Sequence, residues 1–196
     1  MSAPGARDIA AVVRTVLQIE QKVRGTLRQD EAEHAMFTPW MPFQPFRFIA
    51  MAAEALPEIS FPPDQRDCPR ALEIGAGPGT KMLLLQELFG FEVHGIEYYD
   101  EYAATGRALG LDVVTADAGS WTAWDGYQLI WFNRCFRDRH AQRLLEKAVW
   151  DGASAGTVVM CANLEGRPPM SWYPVLDEWD DARAGIWQKP FGSGVS

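Results

Sequence analysis

The chain is poor in cysteine and has no excess of positive charge, and both shortages narrow what it does. Its three cysteines, Cys68, Cys135 and Cys161, are odd in number and widely separated along 196 residues. Such a set builds neither a disulfide framework nor a zinc site, so a reducing, cytoplasmic setting is expected. Lysine and arginine together number 18 against 26 aspartates and glutamates, a net charge of −8. A protein that binds by neutralising phosphates carries the opposite balance, which disfavours nucleic acid as a partner. No apolar run approaches the roughly 20 residues that span a bilayer, and no secretory pattern opens the chain, so neither membrane insertion nor export is expected. Histidines are only three. His34 sits among Glu31, Glu33 and Met36, and a lone histidine with two acids on a helix is usually a surface one. His94, just before Gly95, reads as structural, and no metal site is expected.

What the chain has in quantity is aromatic. Eight tryptophans and ten phenylalanines point to aromatic-lined pockets or an adhesive surface, although for any single ring the core is the better assignment. The length suits one domain with a small appendage. Residues 8–28 carry apolar side chains at three- and four-residue steps: Ile9, Val12, Val13, Val16, Ile19 or Glu20, Val23 and Leu27. This is an amphipathic helix with Asp8 as N-cap. Phe37-Thr38-Pro39-Trp40-Met41-Pro42-Phe43-Gln44-Pro45-Phe46 follows. Its three evenly spaced prolines cannot continue a helix, but Pro45 can open the next one, which Pro57 stops. Residues 57–69, rich in proline and charge, read as a linker.

Beyond residue 70 the pattern alternates. Strands are expected near 71–75, 92–97, 112–116, 127–133 and 157–163, with helices near 80–89, 99–109 and 139–151. Such alternation makes a mostly parallel sheet with helices on both faces. Trp172–Trp179 and Ala184–Lys189 read as a closing antiparallel hairpin, turning at Asp180–Arg183. Gly166-Arg167-Pro168-Pro169 leaves no room for a long helix before it.

The densest chemistry lies at Ala71-Leu72-Glu73-Ile74-Gly75-Ala76-Gly77-Pro78-Gly79-Thr80-Lys81, with Glu97 twenty residues after Gly77. A strand, a glycine turn, a helix and a second strand ending on an acid make a βαβ unit that grips an adenosyl group, the acid on the ribose. The dinucleotide fingerprint requires a third glycine where Thr80 stands. Glu73 would also repel a pyrophosphate, whereas it suits a cation. S-adenosylmethionine carries a sulfonium and an ammonium and has no phosphate.

Glu73-Ile74-Gly75-Ala76-Gly77-Pro78-Gly79-Thr80 resembles the first motif of class I S-adenosylmethionine-dependent methyltransferases, and the likeness covers roughly residues 70–165. The resemblance implies a three-layer Rossmann-like α/β fold, with an abbreviated C-terminal hairpin and a helical N-terminal cap. Residues 1–66 would be the cap and 67–196 the cofactor-binding core. It implies S-adenosylmethionine as cofactor, held by Glu73, Gly75, Ala76, Gly77, Gly79, Thr80 and Lys81 at the first loop. Glu97 with Tyr98 would take the ribose, and Asp117 with Ala118 would lie near the adenine. Asn133, ending the fourth strand, would face both cofactor and acceptor.

Methyl transfer from a sulfonium is an in-line displacement, in which alignment and exclusion of water supply much of the acceleration. A general base is needed only for a nucleophile that holds its proton. Asn133 is the catalytic candidate, and a turn-capping asparagine is the equal alternative. Asn133-Arg134-Cys135-Phe136 lacks the proline pair of the amino-methylating DNA enzymes. A covalent thiolate at Cys135 is disfavoured because the partner motifs of cytosine-C5 enzymes are missing. Arg134, Arg137, Arg139 and Arg143 with His140 make a basic run, read as a solvated face ahead of a phosphate site. Glu165 and Arg134 are acceptor-mouth candidates, and Phe37 and Trp40 are candidates for a lid. The competing role for that aromatic segment is a homodimer interface. The expectation is a methyltransferase acting on an unidentified small molecule or protein side chain. The alternative is a catalytically silent protein that binds the same cofactor.

Overall fold

The structure is a computed structural model, and it describes residues 8–26, 43–59, 68–179 and 184–191. Five helices and seven strands succeed one another along these residues. They are α1 Ile9–Thr26, α2 Pro45–Ala55, β1 Arg70–Ile74, α3 Thr80–Phe89, β2 Glu92–Glu97 and α4 Asp100–Ala108. There follow β3 Asp112–Thr115, β4 Leu129–Phe132, α5 Arg139–Gly152, β5 Val158–Cys161, β6 Tyr173–Trp179 and β7 Ala184–Gln188. A short 3-10 turn, Leu56–Glu58, ends α2 at Pro57.

The strands form one sheet in the order β3-β2-β1-β4-β5-β7-β6. All pairings from β3 across to β5 are parallel, while β7 runs antiparallel to both β5 and β6. The order reverses between β1 and β4, the switch point at which α/β sheets leave a crevice beyond the strand ends. β4, β5 and β7 are buried at every position, as expected of strands covered on both faces. No helix lies between β3 and β4 or between β5 and β6.

Two cores flank the sheet. On one face Val13 and Val16 of α1, Phe48 and Met51 of α2, and Met82, Leu84 and Leu85 of α3 pack on Ala71, Leu129, Trp131 and Met160. On the other, Leu145, Val149 and Trp150 of α5 pack on Leu72, Ile74, Ile130, Phe132 and Trp187. Alternate strand residues divide between the two, as a pleat requires. Five of the tryptophans, Trp124, Trp131, Trp150, Trp172 and Trp187, are buried, so the aromatic load goes chiefly into these cores. Trp150 is the hub of the second, edge-on to Trp172 at 5.0 Å and to Trp187 at 6.1 Å.

One expectation for α1 changes. Ile9, in its first turn, is exposed, and the buried stripe runs through Val13, Val16, Glu20 and Val23. Asp8 does cap the helix, its carboxylate accepting from the Ala10 N–H at 3.0 Å. Phe37 and Trp40, His34, the linker at 60–67 and the turn at 180–183 lie outside the described residues. Among the described residues no helix is long and apolar enough to cross a membrane, and no cluster of His, Cys, Asp and Glu could hold a metal ion.

Candidate active site

The glycine loop crosses from β1 into α3 at the sheet's switch point. Gly75, Gly77 and Gly79 all have positive φ, +71°, +57° and +78°. A side chain is strained at each of these positions. Space is tight as well: a Cβ on Gly79 would lie 2.5 Å from Leu111 Cδ1, which would have to shift, and one on Gly75 3.3 Å from Cys135 Sγ. The Gly75 and Ala76 N–H groups both donate to Ile96 O at 2.9 Å, which pins the loop to the end of β2.

Glu97 closes that junction. One carboxylate oxygen accepts from the Gly77 N–H at 2.7 Å and the other from the Tyr99 N–H at 2.9 Å. The strand-end acid and the glycine loop, twenty residues apart in sequence, are thus a single hydrogen-bonded unit. A carboxylate has about four lone-pair sites, so capacity remains for the hydroxyls of a ribose. Burial raises the Glu97 pKa, against the lowering effect of the backbone donors. Tyr98 beside it is 47% exposed, with its ring edge-on to Tyr99. Asp117, beyond β3, is exposed and accepts from the Gly119 N–H at 2.8 Å, and Ala118 is buried behind it.

Glu73 meets a cation of its own chain. It is fully buried, and Lys81 Nζ in the first turn of α3 lies 2.9 Å from Oε1. The helix folds back over the strand and brings the two together. Burial still raises the Glu73 pKa, more than Lys81 lowers it, and neither carboxylate oxygen has a well-formed hydrogen bond. Lys81 Nζ also lies 4.9 Å above the Phe43 ring. Thr80 Oγ1 donates at 2.9 Å to Glu20, the buried acid of α1. A bare-backbone loop, a strand-end carboxylate with spare capacity and an under-satisfied buried carboxylate together fit an adenosyl ligand that carries positive charge and lacks phosphate.

Beside the loop, between α2 and the ends of β4 and β5, lies a cavity of about 250 Å³. Its walls are Phe43, Gln44, Arg47, Phe48 and Met51 from α2 and its approach, with Lys81, Trp131, Asn133, Ala162, Asn163 and Ala184 from the core. Asn133 therefore stands at the cavity and next to the loop. Its Oδ1 accepts twice, from the Arg134 N–H at 2.7 Å and from Asn163 Nδ2 at 2.8 Å. Asn163 is the only non-glycine at positive φ among the described residues, at +57°.

Cys135 is a neutral thiol here. Burial first, and then the carboxylates of Glu97 and Glu73, push its pKa far up. Arg134 and Glu165, the acceptor-mouth candidates, pair with each other. Arg134 Nη1 lies 3.1 Å from the buried Glu165 carboxylate, and Arg139 Nε lies 3.6 Å from it. Arg134 further donates to the carbonyls of Phe136 and Arg137. Their ion pair lies in the β4–α5 corner, and neither is among the residues lining the cavity.

That corner rests on a pair that sequence reasoning passed over. Gln142 Oε1 accepts from the N–H groups of Cys135 and Phe136 at 2.9 and 3.1 Å, and Gln142 Nε2 donates to Glu146 at 3.0 Å. Glu146 accepts in turn from the N–H groups of Glu165 and Gly166. One buried pair on α5 thereby holds the loops after both β4 and β5. The available signal was polar residues four apart inside the helix's apolar stripe.

No protein-family model matches the chain, and no curated protein matches it in sequence. Solved structures match it in fold. MtNAS, crystallised with MTA and tNA, superimposes with a TM-score of 0.56 at 14% identity, over 92% of this chain and 75% of its own. An RNA methyltransferase from Salinibacter ruber, in complex with S-adenosyl-L-homocysteine, gives 0.55 at 14% identity, over 80% and 97%. TehB from Haemophilus influenzae gives 0.54 at 12%, over 76% of this chain and 63% of its own, so the chain spans less than two-thirds of that protein. Identities this low speak to architecture alone. The chain shares the Rossmann-like α/β fold of these structures.

Proposed function

We propose that this protein is an S-adenosylmethionine-dependent methyltransferase, with a core formed by residues 67–196 under a cap formed by residues 1–66. The observation that carries the reading is the 2.7 Å bond between the Gly77 N–H and Glu97, which builds loop and acid into one cradle. In this reading Gly75, Ala76, Gly77, Gly79, Thr80 and Lys81 present the loop, Glu97 and Tyr98 receive the ribose, and Asp117 and Ala118 flank the adenine. Glu73 acts through Lys81, setting its position and offsetting its charge beside the cofactor's amino-acid end.

When bound, S-adenosylmethionine supplies a methyl carbon that accepts a lone pair from the acceptor while the electrons of its bond to sulfur stay on sulfur. The chain's task is alignment. Asn133 is held by two donors on its oxygen, so its amide is fixed in orientation at the junction of loop and cavity. Among the described residues the cavity wall carries amides, a lysine, an arginine and apolar side chains, groups that bind and orient an acceptor. A covalent role for Cys135 is disfavoured, since burial and the neighbouring carboxylates raise its pKa and favour the thiol over the thiolate. The lid role for the aromatic approach to α2 is supported by Phe43, which lines the cavity.

The test is incubation of the protein with methyl-labelled S-adenosylmethionine and a small-molecule extract. The reading expects S-adenosylhomocysteine to accumulate and label to appear in one acceptor. Binding without turnover would make the chain a silent cofactor-binding protein. Release of methylthioadenosine would mean that a carbon other than the methyl departs.

A further inference from the structure

The cavity beside the loop is walled mainly by apolar side chains, those of Phe43, Phe48, Met51, Trp131, Ala162 and Ala184. Its three aromatic residues form an edge-on chain: Phe43 meets Phe48 at 5.7 Å, and Phe48 meets Trp131 at 5.2 Å. A flat ring set against such a chain finds a ring face or a ring edge, and both contacts are favourable. The two cations among the described wall residues are already engaged. Lys81 lies 2.9 Å from Glu73, and Arg47 has a partner within the chain. An anionic ligand would meet no unclaimed counter-charge here, and a cationic one would meet like charge. Either would lose water without compensation, which is costly.

What this wall leaves unclaimed is neutral donors. Trp131 is 6% exposed, and its indole N–H is buried without a partner. An indole nitrogen only donates, and buried donors left unpaired are uncommon. Asn133 has its oxygen engaged twice, so the hydrogens of its Nδ2 are what it still offers. Asn163 supplies one of those two bonds from a left-handed backbone conformation, and such conformations gather at functional sites.

We infer that this cavity is the acceptor site and that the acceptor is an uncharged, single-ring aromatic molecule carrying a hydrogen-bond-accepting oxygen or nitrogen. The inference rests on the methyltransferase reading and adds the acceptor's chemistry to it. The ring packs against Phe43, Phe48 and Trp131. Its heteroatom accepts from Trp131 Nε1 and Asn133 Nδ2, the donors that the chain itself leaves over. The volume of about 250 Å³ lies just under the roughly 300–1,000 Å³ of drug-sized pockets, so the molecule is about one substituted ring in size.

The test uses the full chain saturated with S-adenosylhomocysteine and titrated calorimetrically at neutral pH with three probes of one shape: benzamide, benzoate and benzylammonium. Benzamide is expected to bind at least about ten-fold more tightly than either charged probe, and about three-fold more tightly than cyclohexanecarboxamide, whose ring is not flat. Trp131→Phe keeps the ring and removes the donor. It is expected to weaken benzamide about ten-fold while changing S-adenosylhomocysteine affinity less than about two-fold. Asn163→Gly, at an exposed site whose φ suits glycine, is expected to weaken benzamide too and leaves the core untouched. Benzoate or benzylammonium binding as tightly as benzamide, cyclohexanecarboxamide binding equally well, or no binding of benzamide to the complex would overturn the inference. So would an equal loss of S-adenosylhomocysteine in Trp131→Phe, which would assign the cavity to the cofactor itself. Failure of S-adenosylhomocysteine to bind the wild-type chain would sink the methyltransferase reading, and the acceptor assignment with it.

Discussion

Cys135 shows how environment decides a residue's chemistry. It sits against Gly75, donates to the carbonyls of Asn133 and Ile74, and is hemmed in by the negative charge of Glu97 and Glu73. Its proton stays on at neutral pH, whereas Cys68 is exposed. Iodoacetamide should therefore label Cys68 in the native chain and leave Cys135 and Cys161 untouched, as read by peptide mass mapping. Labelling of Cys135 at a comparable rate would contradict this account of its surroundings. At this scale the sequence was informative wherever spacing alone carried meaning. Gly77 and Glu97 are twenty residues apart because one helix and one strand separate them, and that distance reads directly as a βαβ unit. Side chains that fold back left no such trace. The Glu73–Lys81 pair, the Thr80–Glu20 bond and the left-handed Asn163 depend on which rotamer or backbone basin the finished structure imposes.

Among the elements, strands buried on both faces were legible as short apolar runs, and their observed ends fall within two residues of expectation. The first cap was legible as well, since Asp8 accepts from an N–H of the first turn of its helix; Asp138 caps α5 in the same way without having been singled out. The service that α2 performs was not. Pro45 and Pro57 announced the helix and its ends, but no such signal reveals that Phe43, Arg47 and Phe48 also wall a cavity. Helix α3 is locked onto β2 at Gly95. A Cβ there would lie 2.6 Å from Met82 Sδ and 2.9 Å from the Ala76 Cβ, both fully buried. Gly95→Ala is expected to cost about 1–3 kcal/mol, the usual penalty of overpacking. Its urea midpoint should fall accordingly, and an unchanged midpoint would show that α3 moves aside freely.

For the whole molecule, the two buried acids at the cradle make stability depend on pH in an unusual sense. Burial raises the folded-state pKa of both Glu73 and Glu97 above the ordinary 4.5. Between that value and the raised one, the folded chain keeps protons that the unfolded chain has released. By linkage their contribution to stability falls as pH rises through that window, and above it the cost is constant. Glu97→Gln removes one such group. Apart from a fixed offset, its unfolding free energy should gain on wild type as pH rises from about 4.5 towards neutrality. A difference independent of pH would mean that Glu97 is not desolvated in the native state. A binding site that sacrifices stability in this manner suits a ligand that supplies the missing partners.

That ligand is the central claim, and calorimetric titration with S-adenosylmethionine of wild type and Glu97→Ala tests it most directly. Wild type should bind one equivalent per chain. Glu97→Ala should bind roughly ten- to hundred-fold more weakly, the worth of hydrogen bonds to a charged group. Affinity unchanged by the substitution, or binding of a nicotinamide dinucleotide with none of S-adenosylmethionine, would contradict the account.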